Sequence, residues 1–312
     1  MQNNKLNKHI LITGMQRSGT TFTSSVLAQF RDMLYIPEPF NPVYGMIGVE
    51  KQYSYVDPHN PIDINKDLLN DLFSYRAYFK KNYQRDSSMK KIAKFLFGTK
   101  AQIRYRKTKY FNAENTRILI KDPDAIFMSE YIHRYHNSQI LCLVRHPAAV
   151  LASYKRLGWA VDLSNINRLM HIFKEDLYDY YPLLNKVNKS LPEQVGLLWV
   201  CIYRMLQVFL ERNKNWLVLC HEEICQNPQD SFESIFNWGG VILTEKIRAH
   251  IKNVTDAKNP VLARGNQLHD LSRDSNALLS YWKDRIDANE KQEIRNITEP
   301  ISSIYYDDQS WV

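Results

Sequence analysis

A short segment near the amino terminus combines two glycines, three hydroxyl side chains and one arginine (GMQRSGTT, residues 14–21). It follows a β-branched apolar run over residues 9–13 and leads into a helical apolar pattern over residues 18–31, which predicts a strand, a glycine turn and a helix. Glycine permits a tight turn, and the backbone N–H groups at a helix amino terminus attract anions. The segment therefore predicts a phosphate-binding loop, with Gly14, Arg17, Ser18, Gly19, Thr20 and Thr21 as candidate ligands.

The spacing within this segment is that of a Walker A loop, G-x-x-x-x-G-K-[ST]. The lysine of that motif is replaced by Thr20. ATPases and GTPases use this lysine to hold the β- and γ-phosphates of their nucleotide. The replacement argues against an ATPase or GTPase, and a P-loop kinase or other phosphotransferase remains an alternative.

A second segment, RHPAAVLAS at residues 145–153, joins an apolar run to a helical pattern. Pro147 suits the first position of a helix, which predicts Arg145 at a strand end and Ser153 about two turns into the helix. An arginine and a serine at this spacing could hold a second phosphate from two sides. A structural salt bridge is the other interpretation of Arg145.

Together the two segments resemble the 5′-phosphosulfate loop and the 3′-phosphate motif of sulfotransferases that use 3′-phosphoadenosine 5′-phosphosulfate (PAPS). The R-S-G-T-T form is the one found in carbohydrate and tyrosylprotein sulfotransferases. The resemblance covers most of the chain outside residues 51–115. Four further segments agree with the family in order and context: EPF at 38–40, KDP at 121–123, HEEI at 221–224 and LSYW at 279–282.

The resemblance implies a role for each candidate. The loop would hold the 5′-phosphosulfate of PAPS, and Arg145 and Ser153 would hold its 3′-phosphate. His221, where the family often has tyrosine, is a further candidate cofactor contact. Glu38 would take the proton of the acceptor hydroxyl, because the chain lacks the K-T-H-L-P stretch that carries a histidine base in sulfotransferases of small phenols and steroids. Arg17 and Lys121 would neutralise the departing phosphate, and no metal is expected.

The elements that must position these residues follow a β-α-β rhythm. Apolar runs at 117–121, 139–144 and 216–220 are typical of parallel strands covered on both faces. We therefore predict an α/β, P-loop-like, three-layer α/β/α fold with a central parallel sheet, in a single domain over residues 1–312. Ligands of such sheets bind beyond the carboxyl ends of the strands. Helices are predicted at 125–137, 147–157, 163–179, 194–213 and 228–238.

Two segments interrupt this rhythm. Residues 51–115 carry 14 Lys+Arg against 6 Asp+Glu, which equals the whole net charge of +8, and seven of the 19 tyrosines. We predict a basic helical insert over 49–115 that shapes the acceptor site. Its cations and aromatic rings at 90–109 leave a nucleic-acid-binding module as an alternative. The polar segment 256–276 places Arg273 in a flap that could close over the cofactor.

Composition narrows the class of protein further. The four cysteines show neither metal-ligand spacing nor a secreted disulfide pattern. The amino terminus lacks the apolar run of a signal peptide, and the apolar stretch 195–210 is too short to cross a membrane. We therefore expect a soluble cytoplasmic enzyme with no metal, no nucleic-acid partner and no membrane span. The expected acceptor is a carbohydrate or a small natural product, and the oligomeric state is left open.

Overall fold

A computed structural model describes residues 9–57, 64–80, 100–111, 116–261, 272 and 274–312. By internal contacts the chain divides into two compact units. The first comprises residues 1–13 and 27–141, and the second comprises residues 14–26 and 142–312. The single domain over 1–312 stays a prediction.

The central sheet confirms the predicted α/β class. Its order is β2-β3-β1-β4-β5, and β3 runs parallel to both β1 and β2. Most of β1, all of β2 and β3, and the first half of β4 belong to the first unit; the second half of β4 and β5 belong to the second. The strands are β1 (His9–Gly14), β2 (Met33–Pro37), β3 (Arg117–Lys121), β4 (Ser138–Val144) and β5 (Leu217–Cys220).

All five residues of β3 are buried, and the three central ones (residues 118–120) are apolar, as expected of a strand covered on both faces. Within the first unit, Ile12 of β1 and Pro37 of β2 both pair with Lys121 at the carboxyl end of β3. The sequence gives no separate prediction for β2, whose short apolar run directly follows the helical pattern over residues 18–31.

The helices of the first unit include two within the predicted insert, α2 (Lys66–Phe73) and α3 (Lys100–Phe111). The buried hydroxyl of Tyr105 on α3 donates to Leu72 O (2.8 Å) and accepts from Ala77 N (3.2 Å). Arg104 on the same helix donates to Met33 O at 2.8 Å. Part of the basic segment is therefore anchored to β2. After β3, a 3₁₀ helix (Pro123–Met128) leads into α4 (Ser129–Tyr135).

The second unit contains most of the described helices. These are α1 (Thr20–Leu27, whose last residue belongs to the first unit), α5 (Pro147–Leu157), α6 (Leu163–Ile172), α7 (Tyr181–Asn185), α8 (Leu191–Arg212), α9 (His221–Gln226), α10 (Pro228–Trp238), α11 (Glu245–Val254), α12 (Ser275–Ser280) and α13 (Ala288–Ser302). Helices α5 and α10 occupy the residues predicted for them.

The predicted helix 163–179 is wrong beyond Ile172. The backbone of Phe173 leaves the helical region, and its ring packs edge-on against Phe209 of α8. The aromatic residues that extended the apparent period instead form a 3₁₀ helix, Tyr178–Tyr180, and then α7.

Helix α8 forms the core of the second unit. A capping box between Ser190 and Glu193 fixes its start, and it packs against α13. Within the part of the chain that the structure describes, α8 is the one helix long and apolar enough to cross a membrane, and 72% of its apolar window is buried. Such burial is typical of a core helix.

Candidate active site

The loop that follows β1 in the second unit depends on unusual backbone angles. Gly14 has φ +133° and Gly19 has φ +91°, both of which favour glycine. A side chain at Gly14 would meet the carbonyl oxygen of Leu143. Arg17 also has a positive φ of 73°, which is rare for a residue with a side chain and is found most often at functional sites.

A buried tyrosine of α8 anchors this loop. The Tyr203 hydroxyl accepts a hydrogen bond from Met15 N (3.2 Å) and donates one to Leu143 O (2.9 Å). It thereby joins the beginning of the loop to the end of β4. Sequence analysis missed Tyr203, because its position within the apolar stripe of α8 is that of an ordinary core residue.

The two predicted phosphate motifs are in direct contact within the second unit. Arg17 Nε donates to Ser153 Oγ at 2.9 Å, and Arg145 Nη1 donates to Arg17 O at 2.8 Å. The ring of Trp159 lies 5.8 Å from the Arg17 guanidinium carbon, within cation–π distance. One loop residue thus connects both members of the second motif.

Arg145 provides an observation that points to a ligand. Its Nε is buried and has no hydrogen-bond partner among the described residues. Buried donors are nearly always paired, since leaving one unpaired costs free energy. An anion beside Arg145 would supply the missing acceptor, so the residues here fit a phosphate group.

His221 lies against the same loop. A Cβ at Gly19 would stand 2.5 Å from His221 Nδ1. Burial, followed by the charges of Arg145 and Arg17, lowers the pKa of His221 well below its usual 6.5, so the imidazole is neutral. Its Nε2 lies 3.5 Å from Cys225 Sγ. A neutral ring therefore forms one wall of the loop.

The carboxylate of Glu222 holds the strand end that bears Arg145. Its Oε1 accepts from His146 N (3.1 Å), and its Oε2 accepts from the Tyr306 hydroxyl (2.9 Å). Burial raises the pKa of Glu222. Within the HEEI segment, His221 therefore lies against the loop, and Glu222 holds the end of the strand that bears Arg145.

The first unit contains the predicted catalytic pair. Lys121 Nζ forms an ion pair with Glu38 Oε1, and the Lys121 side chain is 4% exposed while that of Glu38 is 18% exposed. Glu38 has φ +47°, and its backbone N–H donates to Lys121 O at 2.7 Å. The structure thus brings the two residues together, with the carboxylate in reach of solvent.

Tyr44, which sequence analysis also missed, donates its hydroxyl to Glu38 Oε2. Burial, followed by the charge of Glu38, raises the pKa of Tyr44, so the phenol stays protonated. No sequence signal marks a tyrosine six residues after the glutamate. One carboxylate oxygen of Glu38 therefore pairs with Lys121, and the other accepts a hydrogen bond from the Tyr44 hydroxyl.

All the predicted site residues except Arg273 lie within the described part of the chain. Arg273 lies outside the described residues, as do most of the predicted flap and residues 90–99 of the basic cluster. Ser18 and Thr20 are buried in the loop, and Thr21 is half-buried. Gly14, Arg17, Ser18, Gly19, Thr20, Thr21, Arg145, Ser153 and His221 belong to the second unit, and Glu38 and Lys121 belong to the first.

Comparison with protein families identifies the class. A model described as "Sulfotransferase family" matches residues 9–245. The chain therefore belongs to the sulfotransferase family. No curated protein matches the chain.

Three solved structures are similar to this chain, and the first of them supports the same fold. The sulfotransferase domain from the curacin biosynthetic pathway is 16% identical, with 95% of this chain and 98% of that chain covered and a TM-score of 0.51. The sulfotransferase domain of the Synechococcus PCC 7002 olefin synthase is 16% identical, with 96% and 95% covered and a TM-score of 0.45. Mouse sulfotransferase SULT7A1, complexed with PAP, is 10% identical, with 97% and 87% covered and a TM-score of 0.46.

Proposed function

We propose that this chain is a PAPS-dependent sulfotransferase that transfers a sulfuryl group to an acceptor hydroxyl. The observation that supports this best is the contact between the two anion-binding motifs, in which Arg145 donates to Arg17 O and keeps a buried Nε without a partner. PAPS carries phosphate groups at both ends of its ribose, which suits two adjacent anion sites. Membership of the sulfotransferase family supports the same conclusion.

PAPS supplies the activated sulfuryl group when it is bound. The loop N–H groups and the hydroxyls of Ser18, Thr20 and Thr21 would hold its 5′ end, in the manner of a helix amino terminus. Arg145 and Ser153 would hold its 3′-phosphate through charge-assisted hydrogen bonds. His221 and Arg273 are proposed as further contacts, and the arrangement needs no metal.

We assign the catalytic steps to Glu38, Lys121 and Arg17. Glu38 Oε2 would take the proton of the acceptor hydroxyl as that oxygen attacks the sulfuryl group supplied by PAPS. Lys121 and Arg17 would neutralise the charge left on the departing phosphate. Lys121 also pairs with Glu38 Oε1, so the ion pair would orient the carboxylate and leave Oε2 for the acceptor proton.

A P-loop phosphotransferase is the nearest alternative, and Thr20 at the position of the Walker lysine argues against it. A nucleic-acid module is less favoured, because α3 of the basic segment is anchored by Tyr105 and Arg104. The proposed acceptor is a carbohydrate or a small natural product, with the insert 49–115 shaping its site. All four cysteines are free and buried, which supports a cytoplasmic enzyme.

The transfer reaction tests this proposal directly. Purified protein is incubated with radiolabelled PAPS and libraries of glycans, phenols and hydroxylated natural products, and labelled products are identified. We expect label on a hydroxyl-bearing acceptor and release of 3′-phosphoadenosine 5′-phosphate (PAP). Transfer of phosphate from ATP to the same acceptors, without sulfuryl transfer, would contradict the proposal.

Replacing Gly19 by alanine is expected to weaken PAP binding about tenfold or more. The new Cβ would meet the His221 ring in a backbone conformation that costs about 1–2 kcal/mol for a residue with a side chain, and about 1.4 kcal/mol corresponds to a tenfold change. Calorimetric titration with PAP measures the effect.

The matched control for Gly19→Ala is Gly158→Ala. Gly158 also has a positive φ, 63°, but has nothing within 4 Å of its would-be Cβ. We expect this control to lose about 1–2 kcal/mol of stability from the same backbone cost and to keep its PAP affinity, since no side chain is displaced. Wild-type PAP binding by Gly19→Ala would contradict the placement of the cofactor at this loop.

A further inference from the structure

The carboxylate of Asp122 joins three segments of the first unit. Its Oδ2 accepts from Phe40 N at 2.6 Å, and its Oδ1 accepts from Asp124 N at 2.9 Å. Its own backbone N–H donates to Ile12 O at 3.0 Å. The side chain is fully buried. Asp122 therefore ties the end of β3 to β1, to the 3₁₀ helix that follows, and to the loop after β2.

That loop is the one that carries Glu38. Residues 38–40 offer two backbone N–H groups, because Pro39 has none. The N–H of Glu38 donates to Lys121 O, and the N–H of Phe40 donates to Asp122. The left-handed conformation of Glu38 thus has an anchor on each side, and Asp122 is the anchor on the carboxyl-terminal side.

Each carboxylate oxygen of Asp122 accepts a hydrogen bond from a different backbone N–H, so both side-chain positions must be acceptors. An asparagine side chain has one accepting oxygen and one NH₂ group that only donates, and therefore cannot accept from both N–H groups in this geometry. The charged and titratable groups around Asp122 are Glu38 and Tyr44 from the loop, Lys121 from β3 and Asp124 from the 3₁₀ helix. Burial, followed by the charge of Glu38, raises the pKa of Asp122 to about 7.

We propose that Asp122 is a positioning residue for the transfer reaction, whose carboxylate fixes the turn that presents Glu38 to Lys121 and to the acceptor. This inference rests on the proposed function, because the position of Glu38 matters to catalysis only if Glu38 is the base. Asp122 acts through Glu38 and need not touch the acceptor or the cofactor.

The first test is Asp122→Asn, assayed for kcat, KM and PAP affinity. We expect kcat to fall about 10- to 100-fold, since a misplacement of about 1 Å can cost about 10²-fold, while PAP affinity changes by less than about threefold. An unmoved kcat, or a fall in PAP affinity as large as the fall in kcat, would overturn the inference.

The matched control is Asp162→Asn. Asp162 also caps a helix, α6, by accepting from Ser164 N at 2.9 Å, and it belongs to the other unit. We expect this variant to keep the wild-type kcat and PAP affinity. A loss of kcat equal to that of Asp122→Asn would show a general effect of replacing a capping aspartate by asparagine and would overturn the inference.

The double variant separates this inference from the proposed function. Once Glu38 is glutamine, a residue that acts through Glu38 has little left to contribute, so Asp122→Asn should lower kcat by less than about threefold in that background. A full 10- to 100-fold loss there would overturn positioning while leaving the enzyme a sulfotransferase. If Glu38→Gln alone kept full activity, the assignment of the base would fail instead.

If Asp122→Asn does not fold, hydrogen exchange of the wild-type protein tests whether Asp122 holds the turn at Glu38. The amide of Phe40 should exchange with solvent as slowly as the amides of β3, because Asp122 holds it. Exchange of the Phe40 amide at the rate of an exposed loop would overturn the inference.

Discussion

Glu38→Gln is expected to lower kcat by about 10²–10⁴-fold, the usual contribution of a general base. Glutamine keeps the shape of the side chain and can still accept a hydrogen bond from Tyr44 or Lys121, but it cannot take a proton. PAP affinity should stay within a few fold, because Glu38 belongs to neither phosphate motif. Steady-state kinetics with an alkyl alcohol, together with PAP titration, measure both effects.

The acidity of the acceptor provides the control for Glu38→Gln. An acidic phenol loses its proton without help and should partly rescue this variant. It should not rescue Lys121→Ala, which leaves the charge of the departing phosphate unmatched. Full activity of Glu38→Gln on an alkyl hydroxyl would remove Glu38 as the base.

Arg145→Ala is expected to weaken PAP binding by about 1.5–3 kcal/mol, the usual contribution of a hydrogen bond to a charged group. This corresponds to a loss of roughly tenfold to more than a hundredfold. Binding of adenosine 5′-phosphosulfate, which lacks the 3′-phosphate, should change much less. Parallel calorimetric titrations of the two ligands measure the difference.

Lys155→Ala is the matched control for Arg145→Ala. Lys155 lies on α5, as Ser153 does, but it pairs with Glu290 and is 46% exposed. Its removal should leave both affinities unchanged, because exposed ion pairs contribute little. An equal loss of affinity for the two nucleotides in Arg145→Ala would contradict its assignment to the 3′-phosphate.

The elements that the sequence predicts well are those whose signals are local. The glycine turn after β1 needs positive φ at Gly14 and Gly19, and Pro147 marks the start of α5. Such signals depend on backbone sterics within a few residues, so they are readable without the fold. The structure confirms the strand, loop and helix around both predicted phosphate motifs, whose ligands stay a proposal.

The features that the sequence does not predict depend on contacts between distant residues. Tyr203 reaches the loop from 188 residues away, and the bond between Arg17 and Ser153 spans 136 residues. The burial that neutralises His221 likewise follows from packing alone. The local sequence marks Arg17, Ser153 and His221 as candidates but does not predict which of them are in contact, and it gives no signal for Tyr203.

A comparison of how tightly two nucleotides bind tests most directly the proposal that this chain uses PAPS. The purified chain is titrated with PAP and, separately, with ATP and Mg²⁺, by calorimetry at the same ionic strength. We expect PAP to bind more tightly than ATP, to bind without Mg²⁺, and to lose most of this preference in Arg145→Ala. Tight, Mg²⁺-dependent binding of ATP with weak binding of PAP would contradict a PAPS-dependent sulfotransferase and favour a phosphotransferase.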